Sequence, residues 1–233
     1  MIVKGLIENS FLDWDGKIAT IIFTGGCNFL CPFCHNKDLV ITPDKMESIP
    51  ESYIFNYIEG NRQWIDGVVI TGGEPFLEPD LLDFIRKVKL RGLLVKLDTN
   101  GYLHDRFKQV LETGLVDYVA MDIKSGLKTD RYSQVAGIHV DISKIKASID
   151  FLQLNKIEYE FRTTIIPAFV TLDDLQNIAD YLNPGTKWAW QNFRKTETLI
   201  DSDLMMIMPY LKKDIDEFQK IVTKNKELEI IRR

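Results

Sequence analysis

Short apolar runs alternate along this chain with segments whose apolar positions recur at helical spacing. The runs at 18–23, 67–71, 93–98, 116–121, 159–166 and 187–191 read as strands. They are apolar at consecutive positions (Val68-Val69-Ile70, Val119-Ala120-Met121), the pattern of parallel strands covered by helices. Between them, Leu81, Phe84, Ile85 and Val88 share one helical face ahead of Gly92, and Phe107, Val110 and Leu111 do the same ahead of Gly114. Further stripes are Ile145, Ile149 and Leu152, then Leu172, Leu175, Ile178, Ala179 and Leu182. A last one, Leu211, Ile215, Phe218 and Val222, follows Pro209. Each stripe is expected to be core packing. Six β/α units predict a parallel sheet, open or curled into a barrel.

In such folds the chemistry gathers at the carboxyl ends of the strands. Here those ends run into Thr24-Gly25-Gly26-Cys27, Thr71-Gly72-Gly73-Glu74-Pro75, Asp98-Thr99-Asn100-Gly101 and Asp122-Ile123-Lys124-Ser125, with Arg162-Thr163-Thr164 and Gln191-Asn192 on the last two strands. The polar and glycine-rich groups therefore fall at one end of every unit, which predicts one shared site. Arg162 lies inside an apolar strand, where an unpaired charge is expensive, so an anion is expected beside it.

Composition narrows the function classes. The 233 residues are 45% hydrophobic and 27% charged, enough for a full core, and the net charge of −5 argues against a dedicated nucleic-acid binder. No apolar run approaches the roughly 20 residues needed to span a bilayer, and the N-terminal residues lack the basic–apolar–small order of a signal peptide. A cytoplasmic protein without a membrane partner is expected.

Three cysteines occur, as Cys27-x3-Cys31-x2-Cys34, a clustering that suggests metal ligation rather than disulfides. Three readings compete. Structural zinc takes four protein ligands, and His35, the candidate fourth, directly follows Cys34, a poor arrangement for converging on one small ion. Cys31-Pro-Phe-Cys34-His35 matches a haem-attachment pattern but leaves Cys27 unexplained. The third reading uses all three thiolates on three irons of a cubane cluster and leaves the fourth iron open to a substrate.

The cysteine motif followed by Gly72-Gly73-Glu74-Pro75 resembles the radical S-adenosylmethionine superfamily, whose fold is a partial (β/α)6 barrel. The likeness covers most of residues 17–192, within a single expected domain at 1–233 that carries a helical extension at 203–233. The segment Leu12-Asp13-Trp14-Asp15-Gly16-Lys17-Ile18-Ala19, with Gly25-Gly26-Cys27 through His35-Asn36, is similar to activating proteins of anaerobic ribonucleoside-triphosphate reductase. The Cys-His-Asn ending also resembles formate-lyase activases. Phe33, Lys37 and Gly25 depart from those relatives' usual Tyr, Pro and Gln, and none of these departures removes a ligand.

The resemblance implies a [4Fe–4S] cluster on Cys27, Cys31 and Cys34, with S-adenosylmethionine chelating the open iron. It implies that Gly72, Gly73 and Glu74 hold the methionine amine, and that Asp98 and Thr99 face the ribose and carboxylate end. Lys124 would pair with the methionine carboxylate, Asp98 and Asp122 would share a monovalent cation, and Arg162 would meet either the cofactor carboxylate or a structural aspartate. Phe33 would line the adenine site or simply pack, and Gln191 stands where some activases carry a histidine. His104 and His139 have no motif context and are expected at the surface. No side chain is required as nucleophile or general base. The implied activity is reductive cleavage of S-adenosylmethionine and generation of a glycyl radical on a partner, anaerobic ribonucleotide reductase first among them, with a low-potential donor such as flavodoxin or ferredoxin. The alternatives are a pyruvate formate-lyase activase, a small-molecule enzyme such as 7-carboxy-7-deazaguanine synthase, for which a basic, polar substrate pocket would argue, and a metal-binding module without turnover.

Overall fold

The computed structural model describes residues 1–224 and 226–233. They form two compact units, one of residues Met1–Asn28, Asn36–Thr99 and Asp105–Ala120, the other of Phe29–His35, Asn100–His104 and Met121–Arg233. The strands are hydrogen-bonded in chain order, β1 to β8.

The first unit carries β1 (Val3–Ser10), β2 (Ala19–Thr24), α1 (Lys37–Ile41), α2 (Glu51–Asn61), β3 (Gly67–Gly72), α3 (Leu81–Lys89) and β4 (Leu94–Thr99). It also holds most of α4 (His104–Leu111) and the start of β5 (Tyr118–Asp122). β1 is antiparallel to β2, whereas β2–β3 and β3–β4 are parallel, so the loops leaving these three strands share one edge. Val68, Val69 and Ile70 are wholly buried, as consecutive apolar positions require. The predicted stripe of α3 faces inward, its basic residues Arg86, Lys87 and Lys89 sit in the last turn where they complement the helix dipole, and Gly92 follows with a φ of 75°. Phe84 packs on Phe55 of α2 at 5.1 Å between ring centroids.

A cluster of Trp14, Ala19, Ile21, Val69, Tyr118 and Ala120, with Phe23 and Leu94 against it, fills one side of these strands. Trp14 reaches it from the β1–β2 connection. Gly67 makes the room: a Cβ there would come within 2.8 Å of the indole. The connection is fixed by Ser10, which donates to Asp13 at 2.5 Å, and by the buried Lys96 ammonium, which donates to the Asp13 carbonyl.

The second unit contains α5 (Thr129–Ala136), α6 (Ile142–Leu154), β6 (Glu158–Ile165), α7 (Leu172–Tyr181), β7 (Lys187–Asn192), α8 (Lys212–Thr223) and β8 (Glu229–Arg232). β6–β7 and β7–β8 are parallel. Asp141 caps α6, and Thr171 with Asp174 forms a capping box on α7. On one side of this sheet the Trp188 indole donates to Thr163 at 2.9 Å and Trp188 packs edge-on against Trp190. In the register of β6 on β7, Arg162 lies opposite Ala189 and Thr164 opposite Gln191.

The six expected strands are all present within two residues of the predicted bounds. β1 and β8 are additional. β1 is an edge strand with Gly5 and a run of exposed positions, and β8 has four residues, so neither shows a buried apolar run. The segment expected as helical at 203–233 thus also supplies a strand. Among the described residues, no helix is long and apolar enough to cross a membrane.

Candidate functional site

In the first unit the loops after β2 and β3 touch through backbone. Gly73 donates to the Thr24 carbonyl at 3.1 Å and Glu74 to the Gly26 carbonyl at 2.9 Å. A Cβ on Gly73 would lie 1.7 Å from the Gly26 oxygen, and Gly72 has a φ of 117° with the Thr24 backbone 2.4 Å from its virtual Cβ. Both glycines are therefore required by the approach of the Cys27 loop itself. Asn36, at the start of α1, donates to the Gly72 carbonyl at 2.9 Å. Glu74 is buried; its carboxylate accepts from Thr99 Oγ1 at 2.8 Å and from the Phe76 amide at 3.3 Å, capping a short 3₁₀ turn at Pro75–Leu77. Glu74 and Thr99, predicted separately, are brought together. Asp98 lies 3.6 Å from the Lys96 ammonium.

In the second unit the rest of the cysteine loop is seated on α5. Leu30 donates to the Ala136 carbonyl at 2.8 Å, and Gly137, with a φ of 70°, lets the Leu30 carbonyl come within 2.2 Å of where a Cβ would sit. Phe29 packs between Tyr102 and Tyr132. Pro32 accepts from the Asp201 amide at 2.9 Å, and Cys34 donates to the Cys31 carbonyl at 3.0 Å, closing a turn between the two thiols. None of the three cysteines is in a disulfide. Burial pushes the Cys31 thiol up to about 11; Lys124 draws it back, and Cys34 and Asp122 push it further. A metal that takes the place of that proton would remove this penalty at Cys31.

Asp122 sits between two cations, Lys124 at 2.8 Å and Arg162 at 2.9 Å. Burial opposes its charge, but these cations outweigh burial and hold the carboxyl down at about 2. Lys124 is itself raised well above the lysine range: burial lowers it, and Asp122 more than reverses that. The Lys124 amide donates to the Tyr132 hydroxyl at 3.2 Å. The anion that the sequence demanded beside Arg162 is Asp122. The expected monovalent cation is not supported, because Asp122 already faces two cations and Asp98 already faces Lys96.

Phe33 is buried with its ring 6.0 Å from Phe169. Gln191 lines a cavity of about 270 Å³ at the ends of β6 and β7, together with His35, Thr164, Asn192, Arg194 and Arg233. His35 Nε2 is 3.0 Å from the Arg194 carbonyl; a carbonyl only accepts, so that nitrogen donates and holds the loop after β7. Of the two histidines expected at the surface, His139 is exposed, but His104 is half-buried and bonded to Ser148 at 3.0 Å, which in turn donates to the Gly101 carbonyl. Sequence reasoning also missed Lys96 and Glu160, both buried polar residues. Each is a charge within a strand, the signal that had singled out Arg162.

This glycine-braced cysteine loop and its buried charges belong to a chain that matches the Radical SAM superfamily model over residues 21–182; the chain is a member of that superfamily and a radical S-adenosylmethionine enzyme. Membership implies a [4Fe–4S] cluster and S-adenosylmethionine. Among its relatives is a Methanocaldococcus jannaschii protein whose name assigns it to glycyl-radical enzyme activation, 30% identical over 99% of this chain and 95% of its own length. The pyruvate formate-lyase-activating enzyme of Clostridium pasteurianum is 26% identical over 88% of this chain and 80% of its own. In fold the chain is similar to Streptococcus suis SuiB, with a TM-score of 0.68 at 13% identity, covering 91% of this chain and 48% of SuiB. The chain thus spans about half of that structure. The likeness bears out the expected α/β, partial-barrel class.

Proposed function

We propose that this protein is a glycyl-radical-enzyme activase, with anaerobic ribonucleoside-triphosphate reductase as its partner. The observation that carries the activase reading is the likeness, over nearly the whole of both chains, to the Methanocaldococcus jannaschii relative. The choice of partner rests on the resemblance of residues 12–19 and 25–36; pyruvate formate-lyase, suggested by the Clostridium pasteurianum relative, is the alternative.

In this reading Cys27, Cys31 and Cys34 ligate the cluster, and Gly72, Gly73 and Glu74 receive the methionine amine of S-adenosylmethionine. When bound and reduced, cluster and cofactor supply reductive C5′–S cleavage and, through it, one-electron oxidation of a glycine Cα–H on the partner. The chain's own residues orient and shield. The Glu74 carboxylate, fixed by Thr99, offers an anion to an ammonium, and Lys124, with Arg162 behind Asp122, offers a cation to a carboxylate. Asp98 and Thr99 serve the ribose end, and Phe33 and Gln191 complete the cofactor contacts. A cytoplasmic location and a flavodoxin- or ferredoxin-type donor belong to the same reading.

The test is anaerobic reconstitution, reduction, and incubation with S-adenosylmethionine and a candidate partner. A glycyl EPR doublet on the reductase supports the proposal. Steady 5′-deoxyadenosine release with no partner radical removes the activase reading and keeps the superfamily. One observation favours a second reading, a small-molecule enzyme such as 7-carboxy-7-deazaguanine synthase: the basic, polar cavity at the ends of β6 and β7.

A further inference from the structure

Helix α5 is set among the elements of the second unit that carry the paired charges and two of the thiols. Its Arg131 grips Asp174 of α7, with Nε and Nη2 at 3.2 and 3.1 Å from one carboxylate oxygen. At its C-terminal end the Ala136 carbonyl receives the Leu30 amide at 2.8 Å, one residue ahead of Cys31. Between these anchors Tyr132 is wholly buried, its ring edge-on to Phe29 at 6.5 Å. The helix therefore meets the cysteine loop at two consecutive residues, Phe29 and Leu30.

A phenylalanine would fill the space of Tyr132; what the tyrosine adds is its hydroxyl. That oxygen accepts from the Lys124 amide at 3.2 Å and donates to the Asp122 carbonyl across 3.5 Å. Ile123, between them, is held by β6 instead. Its amide donates to the Arg162 carbonyl and its carbonyl accepts from Thr163 Oγ1, both at 2.8 Å. The backbone of 122–124 is thus clamped by β6 and by one phenol. These bonds leave the Asp122 and Lys124 side chains to each other and to Arg162.

We infer that Tyr132 is a positioning residue for S-adenosylmethionine. Its hydroxyl fixes the 122–124 turn on α5 and so holds the Lys124 ammonium at a set distance from the loop of Cys31 and Cys34. The inference rests on the reading in which those thiolates hold the cluster and Lys124 meets the methionine carboxylate. A cofactor gripped by iron at one place and by a cation at another is sensitive to the separation of the two, and α5 is the element to which both are fastened. Without the hydroxyl the Lys124 amide loses its acceptor, and the turn shifts to find another, carrying the ammonium with it.

The experiment measures S-adenosylmethionine affinity by anaerobic equilibrium dialysis on the reconstituted, oxidised proteins, where no cleavage occurs. Wild type, Tyr132→Phe, Lys124→Met and the double variant are compared, with iron and sulfide counted in each. Tyr132→Phe should weaken binding about tenfold with iron and sulfide unchanged. Lys124→Met should weaken it at least as much, and the double variant should bind as Lys124→Met does, since the hydroxyl then has no cation to position. A purely structural residue would instead lower cluster content, or weaken binding by the same factor in both backgrounds. Either result overturns the inference, as does wild-type affinity in Tyr132→Phe while Lys124→Met is impaired. Wild-type affinity in Lys124→Met is a separate outcome: it removes Lys124 from the cofactor contacts and takes the inference with it.

Discussion

Asp122→Asn removes the anion held between Lys124 and Arg162 while keeping shape and an acceptor oxygen. The carboxyl is held at about 2 against an ordinary value of 3.8. A lowered pKa means that the ionised form is favoured by folding, so its contribution is present above the unfolded pKa and is lost as pH falls toward the folded one. At about 1.4 kcal/mol per pKa unit, the contribution at pH 7 is about 2 kcal/mol. At pH 3 it should fall to about half of that. The variant also leaves two cations facing each other, which adds to the loss. Urea unfolding of the cluster-free wild type and Asp122→Asn, measured at pH 7, 5, 4 and 3, should show a stability gap that is constant down to about pH 5 and then narrows. A second substitution, Lys124→Met, should recover part of the loss at pH 7. A gap that stays constant down to pH 3, or a gap near zero at pH 7, would refute the electrostatic account and leave Asp122 as a spacer.

Gly73→Ala drives a methyl group into the Gly26 carbonyl, a backbone atom that cannot rotate away. It should destabilise by at least about 2 kcal/mol and lower iron and sulfide incorporation after reconstitution. Trp14→Ala empties the cluster beneath the sheet and should cost about 3–5 kcal/mol in denaturant unfolding, with iron content per folded molecule unchanged. Serine in place of any one of Cys27, Cys31 or Cys34 should abolish the visible charge-transfer absorption of a reconstituted [4Fe–4S] protein. Full absorption in one of these variants would remove that cysteine from the ligand set.

The strands of the barrel were legible because parallel strands bury both faces, so runs such as Val68–Ile70 announce themselves without alternation. β1 and β8 lack that signature, since an edge strand exposes one side and four residues carry too little pattern. α5 escaped for another reason. Its apolar positions, Tyr132, Val135 and Ala136, are few, yet its end receives the Leu30 amide and thereby seats the cysteine loop. The charges of the candidate site were visible one by one, but their pairing was not. Asp122 with Arg162 joins residues forty positions apart on different strands, and no local pattern reports such a contact. The resemblance gave Gly72 and Gly73 to the methionine amine. Their first constraint is instead the approach of one loop to another, since the Gly26 carbonyl occupies the space a side chain at residue 73 would need.

The segment Asp13-Trp14-Asp15-Gly16 shows how a motif that marks relatives can stand apart from what distinguishes their substrates. Its tryptophan fills the core over Val69 and Tyr118, its Asp13 carbonyl is gripped by Lys96, and Gly16 turns the chain with a φ of 71°. These contacts of Asp13, Trp14 and Gly16 lie in the core and in the β1–β2 connection. The Lys96 ammonium meets both the Asp13 carbonyl and Asp98, so the β1–β2 connection and the charge at Asp98 depend on the same buried cation. In the proposed reading the segment therefore bears on the acceptor of the radical only through resemblance.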